Sequence, residues 1–454
     1  MKWLGKNGRI VQFYLVGGAV RDLVMGNEPN DYDYVVVNGN PELMLANGFT
    51  QVGKDFPVFL HPETKEEYAL ARTERSTGDG HKGFTCDWEG VTLHEDLSRR
   101  DLTINAMAIF VGFEPKKGHK LSGWGLEDPY NGRKDIENKV LRATSDAFLE
   151  DPLRVFRCAR FLARFGPSWH IDETTMGYFD YVQSLFAYAL DMNGGLPGPN
   201  VVLPPERIWN ETAKALSSKH PSLYFEALKG FGGGFGMIRS MENTDQRRDH
   251  HPEGDVWTHT KLVMDYASDN FFSAEEIFAC FAHDFGKPEA WNLHGTAHGH
   301  EKSGLPYINK FCDDYKVPNK FRELALLVCE FHTKIHGCLG RGDNRSMKPK
   351  TIMRLFEDTG AMKHPERFRS ILRCCMADAR GRGSNEEQIA EFRRTRYLQL
   401  IYLRQCLGAV LETDTKSISE AMLDAGRSGI NIGAEVRAAK ISSIREVQNK
   451  WKQI

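Results

Sequence analysis

The segment Leu15-Val-Gly-Gly-Ala-Val-Arg-Asp-Leu-Val-Met-Gly26 is followed closely by Asn30-Asp-Tyr-Asp-Tyr-Val-Val-Val37. In the first segment an apolar run leads through a glycine pair into the first turn of a helix, and in the second a β-branched strand begins. Bare backbone N–H groups at such a turn, reinforced by the helix dipole, suit a phosphate. A glycine pair by itself is also typical of an ordinary tight turn between a strand and a helix.

Two carboxylates, Asp31 and Asp33, lie at the start of the predicted strand. Side chains two positions apart on a strand face the same way, so both carboxylates can hold the same metal ions. Such ligands beside a phosphate-binding turn are the parts of metal-assisted nucleotidyl transfer, in which one Mg²⁺ activates the attacking hydroxyl and a second bridges the triphosphate. Asp-x-Asp alone would indicate a solvated strand start; the glycine pair upstream favours the catalytic interpretation.

Two later segments add candidate nucleotide contacts. In Arg99-Arg-Asp-Leu-Thr-Ile-Asn-Ala-Met-Ala-Ile109, Arg100 can pair with phosphate oxygens and Asp101 can accept a ribose hydroxyl. In isolation this charged triplet would indicate a solvated helix start. In Glu150-Asp-Pro-Leu-Arg-Val-Phe-Arg-Cys-Ala-Arg-Phe-Leu-Ala-Arg164, arginines recur at helical spacing along one face. Without the upstream motifs, that face would be read as a solvated cationic surface.

Asp151 and Arg154 are three positions apart and would share a side of this helix. Together they offer one acceptor and a fork of donors, which matches the amine and unprotonated ring nitrogen of cytosine or adenine. Uracil and guanine would be refused because their carbonyl would face the carboxylate and their ring N–H the guanidinium.

The composition of the chain argues against several classes of protein. The chain of 454 residues has 59 Lys and Arg against 61 Asp and Glu, so any polyanionic partner must bind a local basic patch. No run approaches the ~18 apolar residues of a membrane helix, and the start at Met1 lacks the apolar core of a signal peptide. The 9 cysteines include no C-x-x-C pair, which fits buried thiols in a reducing compartment. We therefore expect a cytoplasmic protein without a membrane partner.

Patterns of apolar residues and glycines divide the chain into four predicted regions. Strand and glycine signals fill residues 1–135, which predicts a small α/β unit, and helical spacing dominates after Lys134. Glycine-rich stretches at 193–200 and 230–236 interrupt the helices. We predict an α/β head (1–135), an all-α segment (136–240), a histidine-rich helical domain (241–380) and a charged helical tail (381–454).

The histidine-rich region contains an adjacent His283-Asp284 pair inside an apolar helical run, and a buried imidazole and carboxylate both need partners. With His259 upstream and Asp378 downstream, the order resembles that of HD-family phosphohydrolases, in which such ligands bind a divalent metal that activates water. His300 and His332 would be phosphate contacts or additional ligands. The alternative is a structural helical body with satisfied histidines.

The motifs Gly17-Gly-Ala-Val-Arg-Asp22, Asp31-Tyr-Asp33, Arg99-Arg-Asp101, Glu150-Asp-x-x-Arg154 and Pro205-Glu-Arg-Ile-Trp209 occur in the order seen in class II CCA-adding tRNA nucleotidyltransferases. Val52-Gly-Lys-Asp-Phe-Pro-Val-Phe-Leu-His-Pro62 and Asp128-Pro-Tyr-Asn-Gly132 resemble the bacterial form with a C-terminal HD domain. Nearly the whole chain is covered, with extra loops near 114–126 and 191–201.

This resemblance implies a polymerase-beta-like nucleotidyltransferase head with a mixed sheet, followed by an all-α neck, an HD-type helical body and a helical tail. It implies addition of C, C and A to the 3′ end of tRNA from CTP and ATP. Carried over by position, Asp31 and Asp33 would bind Mg²⁺, with Glu74 as a third acidic candidate. The nucleotide would be held by Gly18, Arg21, Arg100, Asp101, Asp151, Arg154 and Arg157.

For the C-terminal half, the resemblance implies a divalent metal, Ni²⁺ or another transition metal, and 2′,3′-cyclic phosphodiesterase, 2′-nucleotidase and phosphatase activities. Two alternatives remain: a poly(A) polymerase of the same superfamily, and a tRNA or nucleotide sensor with a vestigial transferase site. Intact carboxylates at Asp31, Asp33 and Asp151 argue against a vestigial site. The sequence leaves the choice between a monomer and a homodimer open.

Overall fold

The structure is a computed structural model that describes residues 3–5, 8–52, 58–76, 84–113, 125–192, 203–340 and 346–452. Its contacts divide the chain into two compact units. The first comprises residues 1–215 with 230–232, and the second residues 216–229 with 233–454. The segment 216–229, which the sequence analysis assigned to the neck, clusters with the second unit. The finer division into head, neck, HD domain and tail stays a prediction.

The first unit contains a mixed sheet of seven strands in the order β3-β4-β5-β2-β1-β8-β9. Strand β2 pairs with β5 in parallel and with β1 antiparallel. A separate hairpin joins β6 to β7. The strands are β1 (Gln12–Val16), β2 (Asp33–Val37), β3 (Thr50–Val52), β4 (Val58–Leu60), β5 (Glu67–Leu70), β6 (Thr73–Ser76), β7 (Phe84–Asp87), β8 (Ala108–Gly112) and β9 (Leu126–Glu127).

The central strands are apolar on both faces because both faces of the sheet are covered. Phe13, Leu15 and Val36 belong to one buried cluster, and Val16 and Val35 belong to another. A strand buried on both faces reads as a continuous apolar run, which is the pattern of residues 34–37. The β-branched runs at residues 10–16, 34–37 and 67–70 predict strands, and β1, β2 and β5 confirm these predictions to within two residues.

The helices of the first unit are α1 (Gly18–Val24), α2 (Pro41–Ala46), α3 (Leu93–Ser98), α4 (Gly132–Asn138), α5 (Leu153–Phe165), α6 (Glu173–Met192) and α7 (Pro205–Leu216). Apolar residues recur at helical spacing over residues 147–166 and predict a helix there, but the helix begins only at Leu153, after a 3₁₀ turn over Asp146–Glu150. Pro152 disfavours helical geometry at Asp151, which is extended. Two short parallel strands, β10 (Val140–Leu141) and β11 (His170–Ile171), correct the expectation that this region is purely helical.

The second unit is helical throughout its described residues. Its helices are α8 (Pro221–Leu228), α9 (Met237–Glu242), α10 (Val256–Asp269), α11 (Ala274–Ala282), α12 (Lys287–His294), α13 (His300–Asp314), α14 (Asn319–His336), α15 (Pro349–Asp358), α16 (Pro365–Arg380), α17 (Glu386–Arg394), α18 (Leu398–Leu411), α19 (Thr415–Asp424) and α20 (Gly429–Trp451). The expected α/β head with a helical remainder is therefore confirmed. The expected extra loops at 114–126 and 191–201 fall almost wholly outside the described residues, as does the glycine-rich stretch 193–200.

The expectations about membrane helices and cysteines can be compared with the described residues. The described helices include none with the length and apolar character that a bilayer crossing requires. The described cysteines are free thiols in buried positions. The expectation of buried thiols is confirmed for this part of the chain.

Candidate active sites

The glycine pair forms a turn that only glycine accommodates easily. Gly17 has φ +69°, a conformation that L side chains rarely adopt, and a Cβ there would lie 3.1 Å from Nη1 of Arg100. The Arg100 guanidinium therefore lies over the turn, and its Nη2 pairs with Asp96 Oδ2 at 3.2 Å. The turn brings bare backbone and a cation together, as phosphate binding requires.

Arg21 lies beneath this turn and is almost wholly buried. It donates to Asp22 Oδ1 through Nε (2.9 Å) and Nη2 (2.8 Å), and to Asn105 Oδ1 through Nη1 (2.8 Å). A Cβ on Gly18 would lie 3.4 Å from Arg21 Nη2. Arg21 thus ties α1 to the segment after Asp101, and direct contact with a triphosphate stays a prediction.

Asp33 is the first residue of β2 and Asp31 precedes the strand, and both residues are exposed. Asp33 lies directly opposite Glu67 in the parallel register of β2 and β5. Partial desolvation raises the pKa of Asp33, and the charge of Glu67 raises it further. Arg100 lowers this pKa and Asp31 raises it. A carboxylate crowded by other carboxylates favours a bound cation.

Asp101 is saturated with donors. Its Oδ1 accepts from Leu102 N (2.9 Å) and Asn105 Nδ2 (3.0 Å), and its Oδ2 accepts from Arg157 Nε (2.8 Å). Burial raises the pKa of Asp101, but Arg157 and these hydrogen bonds outweigh it and hold the pKa far below its usual value. Asp101 therefore positions Arg157, and its contact with a ribose hydroxyl stays a prediction.

Asp151 and Arg154 both line a cavity of the first unit. They do not share a helical face, because Asp151 precedes α5. The Asp151 carboxylate accepts from Arg207 Nη2 (2.8 Å) and Nη1 (3.3 Å) and from Leu153 N (3.1 Å). Arg154 donates to Ala147 O at 2.7 Å. The pairing of Asp151 with Arg207 is a finding that the spacing of the motif did not predict.

The remaining arginines of α5 are held by carboxylates. Arg160 Nε lies 2.5 Å from Glu211 Oε2 on α7, and Arg164 Nη2 lies 3.1 Å from Asp22 Oδ2 on α1. Three of the four α5 arginines are thus paired with carboxylates, and Arg164 among them stays 43% exposed.

One cavity of about 620 Å³ collects most of the predicted residues of the first unit. Among those that line it are Gly18, Arg21, Asp33, Arg100, Asp101, Asp151, Arg154 and Arg157. Asp31 does not line it, and the side chain of Glu74 lies outside the described residues.

The four predicted ligands of the second unit meet in one buried centre. His259 Nε2 lies 3.1 Å from Asp378 Oδ1 and 3.9 Å from Asp284 Oδ2, and His283 Nε2 lies 3.2 Å from Asp284 Oδ2. The four side chains are 6% exposed or less. They come from four places: α10, the end of α11, the turn after it, and α16.

The histidine orientations are fixed from outside the centre. His259 Nδ1 lies 2.8 Å from Glu253 Oε1, and His283 Nδ1 lies 2.7 Å from the Cys280 carbonyl oxygen. The Cys280 carbonyl oxygen accepts from His283 Nδ1, so His283 Nε2 faces the centre, and the Glu253 carboxylate lies beside His259 Nδ1. Acceptors at the second ring nitrogen orient histidines that bind a metal through the first.

The centre stabilises positive charge. Burial raises the pKa of Asp284, but His283 and Lys287 outweigh it and hold the pKa well below its usual value. Burial likewise raises the pKa of Asp378, and His336 outweighs it. Burial lowers the pKa of His283, yet the charge of Asp284 carries it above the usual value.

A second cavity, also of about 620 Å³, opens beside this centre. His300, His332 and Asp378 line it together with the cationic side chains of Lys287 and Arg382. His300 Nε2 lies 3.3 Å and His332 Nε2 3.8 Å from Asp284 Oδ1. His300 and His332, which the sequence left as either phosphate contacts or additional ligands, therefore both lie at this centre.

The sequence analysis missed several residues of the two sites. Arg207 lies in a motif that it quoted without a role, and Lys287 follows the His-Asp pair by one helical turn, which is a usable signal. Glu253 and His336 carry no such signal: His336 Nε2 lies 2.6 Å from Asp378 Oδ2 across a long sequence separation.

A mixed sheet that places a glycine turn, a strand-end carboxylate and arginines in one cavity defines a nucleotidyltransferase head. The model of the poly A polymerase head domain matches residues 13–142. The chain is 39% identical over 451 residues to the multifunctional CCA protein of Psychromonas ingrahamii, covering 97% of this chain and 99% of that one. Identity to the multifunctional CCA protein of Acinetobacter baumannii is 38% over 450 residues, covering 98% and 99%.

Solved structures share the fold. A CCA-adding enzyme in an apo form matches with TM-score 0.58 at 20% identity, over 96% of this chain and 86% of the other. The Bacillus stearothermophilus CCA-adding enzyme in complex with CTP matches with TM-score 0.58 at 18% identity, over 96% and 89%. The identity to the full-length relatives above shows the family. The chain belongs to the bacterial CCA-adding tRNA nucleotidyltransferases called multifunctional CCA proteins.

Proposed function

We propose that the first unit adds C, C and A to the 3′ end of tRNA from CTP and ATP without a nucleic-acid template. The supporting observation is the single cavity that holds the glycine turn, Asp33, Arg100, Asp151 and Arg154. The family relationship favours this activity over a poly(A) polymerase, although the head-domain model is shared with that class.

Asp33 and Asp31 would hold Mg²⁺, since hard carboxylate oxygens are its preferred protein ligands. When bound, the ions lower the barrier to attack of the tRNA hydroxyl and stabilise the departing pyrophosphate. Gly17 leaves room for a phosphate beneath Arg100, whose guanidinium donates to the phosphate oxygens. Asp151 accepts the exocyclic amine of the base, and Arg154 donates to its ring nitrogen.

A tRNA that lacks its 3′ CCA, supplied with labelled CTP and ATP, tests this proposal. Asp33→Ala should abolish incorporation of both nucleotides, while Asp180→Ala, an exposed carboxylate on α6 of the same unit, should leave it unchanged. A ladder of added A residues without C would instead identify a poly(A) polymerase. Binding of tRNA without any incorporation by the unaltered chain would indicate a sensor.

For the second unit we propose a metal-dependent phosphohydrolase that acts on 2′,3′-cyclic phosphates, 2′-nucleotides and other phosphomonoesters. Four buried donors support it, since His283 Nε2 and Asp284 Oδ1 lack hydrogen-bond partners within the described chain. Buried polar atoms without partners are costly unless a ligand satisfies them. His259, His283, Asp284 and Asp378 would hold the cation, which when bound activates water and polarises the phosphoryl group.

The residues that line the neighbouring cavity supply the rest of this chemistry. Lys287 and Arg382 place cationic groups where phosphate oxygens would approach. Hydrolysis of 2′,3′-cyclic AMP in the presence of Ni²⁺, Mn²⁺ or Mg²⁺ tests the proposal. His283→Ala should reduce it at least 100-fold, whereas His298→Ala, which changes an exposed histidine nearby, should not.

A further inference from the structure

The guanidinium of Arg21 contacts aromatic rings as well as hydrogen-bond acceptors. Its Cζ lies 5.2 Å from the ring centroid of Phe161 and 5.7 Å from that of Phe165, and both rings belong to α5. The electron-rich face of an aromatic ring attracts a cation within about 6 Å, and the attraction is stronger where water is excluded. Arg21 is 3% exposed, so both contacts are made in a site that water hardly reaches.

The two rings are part of a stack along α5. Phe161 and Phe165 are four residues apart and share a face of the helix, and their rings are nearly parallel, at 15°, with centroids 5.7 Å apart. Phe165 stacks in turn on Trp169, with centroids 4.6 Å apart. Arg160 Cζ lies 4.4 Å from the Phe161 centroid, and Arg164 Cζ lies 5.7 Å from the Phe165 centroid. These neighbours restrict both rings, so α5 presents them in fixed positions.

The hydrogen bonds of Arg21 leave donors for a ligand. Nε and one N–H of Nη2 go to Asp22 Oδ1, and one N–H of Nη1 goes to Asn105 Oδ1. A guanidinium has five N–H groups, so two remain without an acceptor among the described residues. Arg21 lines the cavity, and its Nη2 lies 3.4 Å from the position that a Cβ on Gly18 would take. The guanidinium is therefore an available donor at the glycine turn.

Helix α5 thus connects the two ends of the proposed nucleotide site. Its first turn carries Arg154, to which the proposed function assigns the base, and its second half carries the two rings that contact Arg21. Arg154 and Phe161 are seven residues apart, which is about 10 Å along the helix axis. A second link joins α1 to α5, because Arg164 Nη2 lies 3.1 Å from Asp22 Oδ2. The glycine turn and the base-reading end of α5 are therefore held at a fixed separation.

We propose that Phe161 and Phe165 are positioning residues of the transferase, which hold Arg21 beneath the glycine turn and so fix the triphosphate relative to α5. Their effect passes through Arg21 rather than through contact with the reacting groups. This role rests on the proposed transfer of C and A from CTP and ATP, with Arg21 as a donor to the triphosphate. An aliphatic side chain cannot replace either ring, because only an aromatic face attracts the guanidinium.

Inorganic pyrophosphate is the probe for this role, because it has no base and would leave from the turn that holds the triphosphate. Its inhibition constant is measured on the full-length protein during addition of labelled C to a tRNA that lacks its 3′ CCA, so that only the first site is observed. Phe165→Leu keeps an apolar side chain but loses the ring face. It should raise the inhibition constant, and the KM for CTP and ATP alike, by about 5- to 30-fold while the KM for tRNA stays unchanged. Phe165→Tyr keeps the ring and should stay within about twofold of the parent.

A matched control and two further variants show whether the effect passes through Arg21. Phe179→Leu removes a ring of the same unit that is 2% exposed and distant from these contacts in the chain, and it should leave the inhibition constant unchanged. Phe161→Leu should raise the constant as Phe165→Leu does. In an Arg21→Gln background, Phe165→Leu should add little, because residues that act through one another are not additive.

Three results would overturn the positioning role: an unchanged constant in Phe165→Leu and Phe161→Leu, an equal rise in Phe179→Leu, or the full rise in the Arg21→Gln background. Circular dichroism confirms that each variant is folded. If the unaltered chain adds neither C nor A, the proposed transferase function is wrong and the positioning role fails with it. If the chain adds both and one of the three results is found, only the positioning role is wrong.

Discussion

At the scale of single residues, each catalytic candidate depends on a neighbour that the reaction itself would not identify. Glu253, with a fully buried side chain, accepts from His251 Nδ1 at 3.0 Å, and its Oε1 lies 2.8 Å from His259 Nδ1. Burial raises the pKa of Glu253, but the two neighbouring histidines outweigh it and hold this pKa well below its usual value. Glu253 is therefore ionised and keeps the His259 lone pair directed at the centre.

Glu253→Gln should weaken binding of Co²⁺ or Ni²⁺ by about 10- to 100-fold, because removal of the charge loosens the orientation and basicity of His259. Isothermal titration with either metal measures the change. Glu412→Gln, an exposed carboxylate at the end of α18, serves as the control and should bind as tightly as the parent. Equal affinity in both variants would show that Glu253 only fills space.

Asp151 governs a second residue-scale prediction. Asp151→Ala should lower the preference for CTP over UTP at least tenfold, because the acceptor for the exocyclic amine is removed. Arg207→Ala should move the same ratio, since Arg207 holds that carboxylate at 2.8 Å. Values of kcat/KM for CTP and UTP on tRNA ending before the CCA give the ratio. If neither substitution alters it, the base is read elsewhere.

At the scale of secondary-structure elements, buried charge pairs fasten α5 to its neighbours. Arg160 on α5 and Glu211 on α7 are 14% and 5% exposed. Arg157 Nη1 also lies 3.9 Å from Glu211, so the carboxylate compensates two guanidinium groups. Helix α5 thereby carries Arg154 and Arg157 into the cavity in fixed positions.

Glu211→Ala should destabilise the first unit by about 3 kcal/mol, because it leaves a buried guanidinium without a counter-charge. The double change Arg160→Met with Glu211→Met should cost less than the single change, since it removes both charges and keeps apolar volume. Differential scanning calorimetry of the three proteins compares them. A double variant less stable than Glu211→Ala contradicts this account.

Helix α10 contains a carboxyl group whose charge is unfavourable. Burial raises the pKa of Asp265 to about 6, and the Ser222 hydroxyl, which donates to it at 2.7 Å, offsets this only in part. A pKa raised above the unfolded value of 3.8 means that stability is full below about pH 4 and is lost as the pH rises through about 6.

Asp265→Asn should therefore stabilise the second unit at pH 7.5 by about 1–2 kcal/mol, a figure reduced because the side chain is half-buried. The gain should disappear near pH 4. Melting temperatures of parent and variant across this range measure it, and a pH-independent difference would exclude ionisation as the cause. Asp269→Asn, a more exposed neighbour on the same helix, provides a comparison.

At the scale of the whole molecule, the two sites lie within different compact units. Every donor proposed for the transferase lies before residue 216, and every ligand proposed for the hydrolase lies beyond residue 232. Neither mechanism draws on a residue of the other unit.

The double change His283→Ala with Asp284→Ala should remove hydrolysis of 2′,3′-cyclic phosphates and leave CCA addition intact. Both activities are measured on one preparation whose folding is checked by circular dichroism. Loss of both activities in a folded protein would refute the independence of the two sites. Asp33→Ala should give the reciprocal result.

The amino-acid sequence alone determined the elements and the chemistry they carry. Strand β2 with Asp33, the glycine turn before α1, and His283-Asp284 at the end of an apolar helix are all local patterns, because strand and helix periodicity and turn geometry depend on near neighbours. They predicted the head, the helical remainder and the family relationship. The helix predicted from residue 147 was wrong before Leu153, because Pro152 disfavours helical geometry at the residue that precedes it.

Only the tertiary structure decided which side chains meet. Arg207 rather than Arg154 pairs with Asp151, carboxylates from three segments pair with three of the four α5 arginines, and Asp284 faces His300 and His332 as well as His283. Such contacts join residues far apart in the chain and depend on how closely backbones approach. The absence of a Cβ at Gly286 sets that approach for His300, and no periodicity in the sequence records it.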